Sequence, residues 1–193
     1  MTSRRGILLA LVLALAFGIG GALAGGPSTA GGRASPASLT LSWWHLIPGL
    51  VLGACLGVLA DIDIRSHRLP DRIQYPLLGG LAAHILLVRP FGVHGLWSAL
   101  AGAIGVALVF LVLAVVAAGG LGLGDVKLGA ILGLWTGWLH PTGPVVFVMA
   151  AFLVGGLYAL VLMALKKATR TSHIPFGPFL IAGAAIATWW TLL

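Results

Sequence analysis

Four carboxylates are all this chain offers for acid–base chemistry: Asp61, Asp63, Asp71 and Asp125, with no glutamate anywhere. Three share one polar segment, residues 61–72, and the fourth stands alone in Gly119-Gly120-Leu121-Gly122-Leu123-Gly124-Asp125-Val126-Lys127-Leu128, between two long apolar runs. A carboxylate beside the hydrocarbon layer is costly, so such an acid usually has a role. Two carboxylates brought close together cannot both ionise cheaply; they share a proton and titrate as a pair. The ionised member can draw a proton from water, while the protonated member donates to a peptide carbonyl as the tetrahedral intermediate forms. Such chemistry requires two aspartates on one side of the membrane, a backbone that a substrate can approach, and little water. Gly122 and Gly124 suit the second requirement, because a residue without a side chain permits close approach and unusual φ and ψ.

Each acid also has a plainer reading. Asp125 could open the helix that follows it, an acid favourably placed at a helix N-terminus. Asp63 could pair with Arg65 or Arg68 in a solvated loop, and the same holds more strongly for Asp61 and Asp71. Lys127 is either a charge anchor at the membrane surface or a bias on the field at Asp125. Residue types alone do not choose between Asp61 and Asp63. No metal site is expected: His45, His84, His94 and His140 are scattered, and Cys55 is the single cysteine, whereas metal ligands must converge. No cofactor is expected either.

The elements that must position the acids are membrane helices. Of 193 residues, 60% are hydrophobic and 8% charged, with a mean hydropathy of +1.10; a soluble domain carries about 25% charged residues. The composition predicts an all-α, polytopic membrane protein with six or seven transmembrane helices. Residues 1–25, led by Arg4 and Arg5, read either as a transmembrane helix or as a signal peptide cut after Ala24. Residues 26–42, rich in Gly, Pro and Ser, form an external linker. Residues 43–193 form the membrane-embedded domain, with spans expected at 43–60, 73–88, 95–118, 126–139 and 145–165, and a last one running to residue 193. Trp43, Trp44 and His45 are placed at the outer interface, with Trp189 and Trp190 as further interface anchors.

A net charge of +7 would suggest nucleic acid in a soluble protein, but here topology accounts for it and no nucleic-acid partner is expected. Nine of the eleven Lys and Arg residues fall at the N-terminus, in residues 61–72, at Lys127 and in residues 166–170; only Arg33 and Arg89 fall on the other face. That bias makes the nine-residue side cytoplasmic and puts both acidic stretches on it.

Three stretches together resemble the type IV prepilin peptidases and their archaeal preflagellin relatives, the GxGD aspartyl proteases of the membrane. Asp63-Ile64-Arg65-Ser66-His67-Arg68-Leu69-Pro70-Asp71 is similar to the first aspartate motif, an Asp seven residues before a Pro that is followed by Asp or Asn. Gly122-Leu123-Gly124-Asp125-Val126-Lys127-Leu128 is similar to the second and is the most specific, because GxGD extends into VKL. Ile174-Pro175-Phe176-Gly177-Pro178-Phe179-Leu180 is similar to the stretch opening the last helix. The likeness covers residues 43–193.

The resemblance implies that Asp63 and Asp125 are the catalytic pair, with Pro70, Gly122, Gly124, Lys127, Pro175 and Gly177 as substrate-binding or structural support. It implies hydrolysis of the bond between a basic leader and the hydrophobic helix of a prepilin or pseudopilin precursor, at the cytoplasmic face of the inner membrane. Many bacterial members also carry a zinc-binding insert with two CxxC pairs and methylate the new N-terminus. With Cys55 alone, a form without that insert or the methyl transfer is expected. Intramembrane aspartates on broken helices would otherwise suit a small ion-coupled transporter or channel, and internal repeats, which would favour that reading, are not seen.

Overall fold

The structure, a computed structural model, describes residues 4–24, 43–88, 92–116, 121–166 and 175–190. Seven helices make up the described chain: α1 (Arg4–Ala24), α2 (Trp43–Ser66), α3 (Asp71–Val88), α4 (Gly92–Val116), α5 (Leu123–Leu139), α6 (Gly143–Ala164) and α7 (Gly177–Trp190). The expected linker at 26–42, Gly119, Gly120, residues 167–174, Arg33 and Arg89 lie outside the described residues, as do the side chains of Trp43, Trp44, His45 and His94. Helices α1, α2, α4 and α6 are long and apolar enough to cross a membrane, and α7 is a shorter apolar helix. Their many exposed Leu, Val and Ile side chains, such as Leu8, Val112, Val116 and Leu153, suit a surface bathed in lipid rather than water. The chain is a multi-pass, all-helical membrane protein.

The helices pack as three close pairs, α1 on α2, α4 on α5 and α6 on α7, with α5 and α7 touching at the centre. Small residues permit the close approaches. A Cβ at Gly49, Gly53 or Gly57 of α2 would overlap the α1 backbone at Phe17, Leu13 and Ala10. Gly102 on α4 and Gly133 on α5 face each other in the same way. In lipid, where burial of apolar surface gives helices little reason to associate, such backbone-to-backbone packing does much of the work. Between α5 and α7 a buried polar link adds to it: Trp135 Nε1–H donates to Thr188 Oγ1 at 3.1 Å, and Thr188 donates on to the Ala184 carbonyl. This satisfies the one polar atom of a fully buried indole.

One boundary differs from expectation, and the difference shapes the site. Residues 61–66, expected in a loop, continue α2 for nearly two further turns. The helix closes at His67, whose φ of 50° lies in the left-handed region and whose N–H donates to the Asp63 carbonyl. Pro70 carbonyl oxygen then receives the N–H groups of Ile73 and Gln74, so α3 starts immediately after a proline that could not have continued a helix through the turn.

Candidate active site

Placing Asp61 and Asp63 on a helix separates their fates. Residues two apart on an α-helix point about 200° away from each other. Asp61 faces α1, where a Cβ on Gly6 would collide with its carboxylate, and it pairs with Arg65 one turn on, at 3.0 Å. Asp63 points inward and is 5% exposed. The plainer reading of Asp63, paired with Arg65 in a solvated loop, does not hold: Arg65 is engaged by Asp61, and Asp63 is buried.

Asp63 is held by the start of α7. Gly177, the first residue of that helix, donates its backbone N–H to Asp63 Oδ2 at 3.1 Å. The first N–H groups of a helix have no partner within it, and the helix dipole favours an anion there. A Cβ on Gly177 would stand 2.7 Å from the same oxygen, so only glycine lets the carboxylate come this close. Pro175 precedes the helix, and the Phe176 carbonyl caps it by accepting the N–H groups of Phe179 and Leu180. The Phe176 ring is fixed among Phe110, Phe152 and Phe179. That aromatic cluster holds the N-terminus of α7 over Asp63.

Asp125 sits in the first turn of α5. Its Oδ2 accepts the Gly122 N–H at 3.3 Å while its own N–H donates to the Gly122 carbonyl. Asp125 thus does open its helix, as the plainer reading has it, and the cap fixes the side chain's direction. The Asp63 carboxylate lies within electrostatic reach of it. The two acids come from separate segments and lie at the same end of the bundle.

The glycines of GxGD divide. A Cβ on Gly124 would stand 3.0 Å from Leu69 Cβ, so Gly124 lets the turn before α3 settle against the start of α5. Gly122 has φ −78° and ψ 150°, ordinary extended backbone, and a Cβ there would meet nothing closer than 3.7 Å. The expected unusual backbone at Gly122 is corrected, and the tight packing within the fold falls at Gly124. Lys127 is placed more definitely than its residue type allowed. Its Nζ bonds Asp71 Oδ1 at 2.7 Å and lies 4.9 Å from the centre of the Tyr75 ring, tying α5 to α3. The ion pair is partly exposed, so solvent screens it and it contributes little to stability.

Sequence reasoning missed Gln74. It is 1% exposed on α3, and its Nε2–H donates to the Gly124 carbonyl at 3.1 Å. A polar residue among the apolar positions of α3 was the available signal. It also passed over Leu69 and Phe176 as individual positions, since apolar residues in a hydrophobic chain carry no mark of their contacts. Among the described residues, no three or more His, Cys, Asp or Glu gather as metal ligands would. The α1 N-terminus at Gly6, the end of α2, and the starts of α3, α5 and α7 all converge at this end of the bundle.

Comparison with known proteins shows the family of the chain. A model of the type IV leader peptidase family matches residues 50–160, a region that includes both Asp63 and Asp125. The chain is 36% identical over 146 residues to leader peptidase HopD of Salmonella typhimurium, an alignment covering 74% of this chain and 93% of that protein. It is 35% identical over 150 residues to leader peptidase HopD of Escherichia coli, covering 76% and 96%. Against the prepilin leader peptidase/N-methyltransferase of Pseudomonas aeruginosa it is 34% identical over 162 residues, covering 78% of this chain and 50% of the relative. The chain thus spans about half the length of the relatives named as methyltransferases in Aeromonas and Pseudomonas. No solved structure matches it. The chain belongs to the type IV leader peptidase family, and is a protease of the membrane.

Proposed function

We propose that this protein is an aspartic endopeptidase that removes the basic leader from type IV prepilin-like or pseudopilin precursors at the cytoplasmic face of the inner membrane, with Asp63 and Asp125 as the catalytic pair. What supports this reading is a buried Asp63, held by the N-terminus of α7, within electrostatic reach of Asp125 in the first turn of α5. Between them the pair holds one proton. The ionised carboxylate takes a proton from water as the water oxygen bonds to the scissile carbonyl carbon. The protonated carboxyl gives its proton to the carbonyl oxygen, forming a neutral gem-diol. Collapse of that intermediate breaks the C–N bond, returns a proton from a hydroxyl to the pair and delivers one to the leaving amine. Water is consumed, one acid and one amine are made, and the pair ends in its starting protonation state.

The substrate follows from the relatives' names and from charge. A leader rich in Lys and Arg stays on the cytoplasmic side, while the hydrophobic helix behind it lies in the bilayer. The bond between them then falls at the depth of Asp63 and Asp125. A precursor with a basic leader, a glycine and a hydrophobic helix, mixed with purified protein in detergent, should be cut once, at that junction. An intact precursor under these conditions, together with proton or cation flux through liposomes holding the protein, would favour the transporter reading instead.

A further inference from the structure

The buried carboxamide of Gln74 is used at one end only. Nε2–H holds the Gly124 carbonyl, whereas Oε1 is buried and, among the described residues, has no hydrogen-bond partner. Folded proteins rarely leave a buried acceptor unmet, because nothing repays its loss of water. A methionine at this position would fill similar space without that cost, so stability alone does not account for a glutamine here. What the glutamine supplies is the bond to Gly124, whose carbonyl belongs to the peptide unit that carries the Asp125 N–H. That N–H closes the α5 cap on Gly122, and the cap aims the Asp125 carboxylate.

We propose that Gln74 is a positioning residue for the proteolytic reaction: through the Gly124 carbonyl it fixes the peptide plane that presents Asp125 to Asp63. The inference rests on the reading of Asp63 and Asp125 as the catalytic pair. Leu69 supports the same peptide from the side, packing where a Gly124 side chain would be. Gln74 acts from α3, which the Asp71–Lys127 ion pair ties to α5 independently. Losing the amide therefore loosens the direction of Asp125 without separating the two helices.

Three variants test this against a purely structural role. Gln74→Met removes the bond to Gly124 and the unmet acceptor together. It should fold and melt no lower than wild type, yet its kcat should fall by about tenfold or more, the scale of one lost orienting hydrogen bond, with little change in KM. Gln74→Glu keeps the shape but, when ionised, offers no donor to the Gly124 carbonyl. When protonated, its O–H restores the bond, so its activity relative to Gln74→Met should rise as pH falls. The charged and titratable groups on the packed elements are Asp71, Arg72, Tyr75 and His84 of α3, Asp125 and Lys127 of α5, and Cys55, Asp61, Asp63 and Arg65 of α2. They are common to both variants, so the ratio of the two profiles isolates the new carboxyl. Asp125→Asn is measured alongside. An inactive Asp125→Asn with a Gln74→Met of wild-type kcat, or with parallel Met and Glu pH profiles, would overturn the role of Gln74 alone. An active Asp125→Asn would instead overturn the catalytic pair.

Discussion

Gly177 donates its backbone N–H to Oδ2 of Asp63 at 3.1 Å, joining the start of the last helix to the end of the second across 114 positions of sequence. The contact uses a group that every helix leaves unpaired and a residue with no side chain to obstruct it. Gly177→Ala would put a methyl 2.7 Å from the carboxylate oxygen, where the oxygen or the helix start must move. Cleavage should fall at least about tenfold, the effect of about 1.4 kcal/mol on the barrier. The variant should still insert, because the α6–α7 and α5–α7 contacts lie deeper in the bundle. Cleavage rate and detergent-solution melting, measured together, check both halves.

The two glycines of GxGD should separate under mutation. Gly124→Ala must push Leu69 away, shifting the turn before α3, and should lose both stability and activity. Gly122→Ala meets open space in an extended backbone that alanine adopts readily, and should keep its fold and cleave within a few-fold of wild type. Melting temperature and cleavage rate for the pair of variants decide this. Equal destabilisation of both would contradict the packing described for Gly124.

Much of this site was legible in the sequence because charge is scarce. With four acids in 193 residues, the motif around Asp125 and the segment around Asp63 stood out, and the Lys and Arg distribution put both on one side. What was not legible was direction. Asp61 and Asp63 differ only in which face of α2 they occupy, and that became visible once residues 61–66 proved helical rather than looped. The same holds for Lys127, whose partner Asp71 lies 56 positions away, and for Gln74, whose contact lies 50 away. A spacing rule within one helix cannot find a partner on another. The aromatic seat of Phe176 was hidden for a different reason: one phenylalanine in a chain that is 60% hydrophobic carries no local signal.

The topology makes a prediction that needs no enzyme assay. Reporter fusions after Arg72, Gly120 and Arg170 should all report cytoplasm, and fusions after Arg89 and His140 the outside. The convergence of the starts of α3, α5 and α7 at one end of the bundle requires the first three to agree. N-terminal sequencing of the purified protein should find α1 retained, since Gly49, Gly53 and Gly57 pack directly on its backbone and Asp61 lies over Gly6. A mature chain beginning after Ala24 would contradict that.

The cleaved product should carry a free amine. Chelator should leave the rate unchanged, because among the described residues no three or more His, Cys, Asp or Glu gather as metal ligands would. S-adenosylmethionine should add no mass to the product, because the single cysteine, Cys55, cannot supply the two CxxC pairs expected of the methylating forms. Intact mass spectrometry of the product, with and without the methyl donor, reads this directly. One added methyl group with purified protein alone would end the peptidase-only reading and leave the protease reading intact.

The central claim is that one proton shared by Asp63 and Asp125 performs the hydrolysis, so neither carboxylate can be spared. Its most direct measurement is leader cleavage by purified Asp63→Asn and Asp125→Asn, compared with Asp61→Asn, in detergent with a single precursor. The two site variants should remain inserted and folded and show no cleavage above background. Asp61→Asn, whose partner is Arg65 on the opposite face of α2, should keep most of its activity. Clear turnover by either Asp63→Asn or Asp125→Asn would contradict the account.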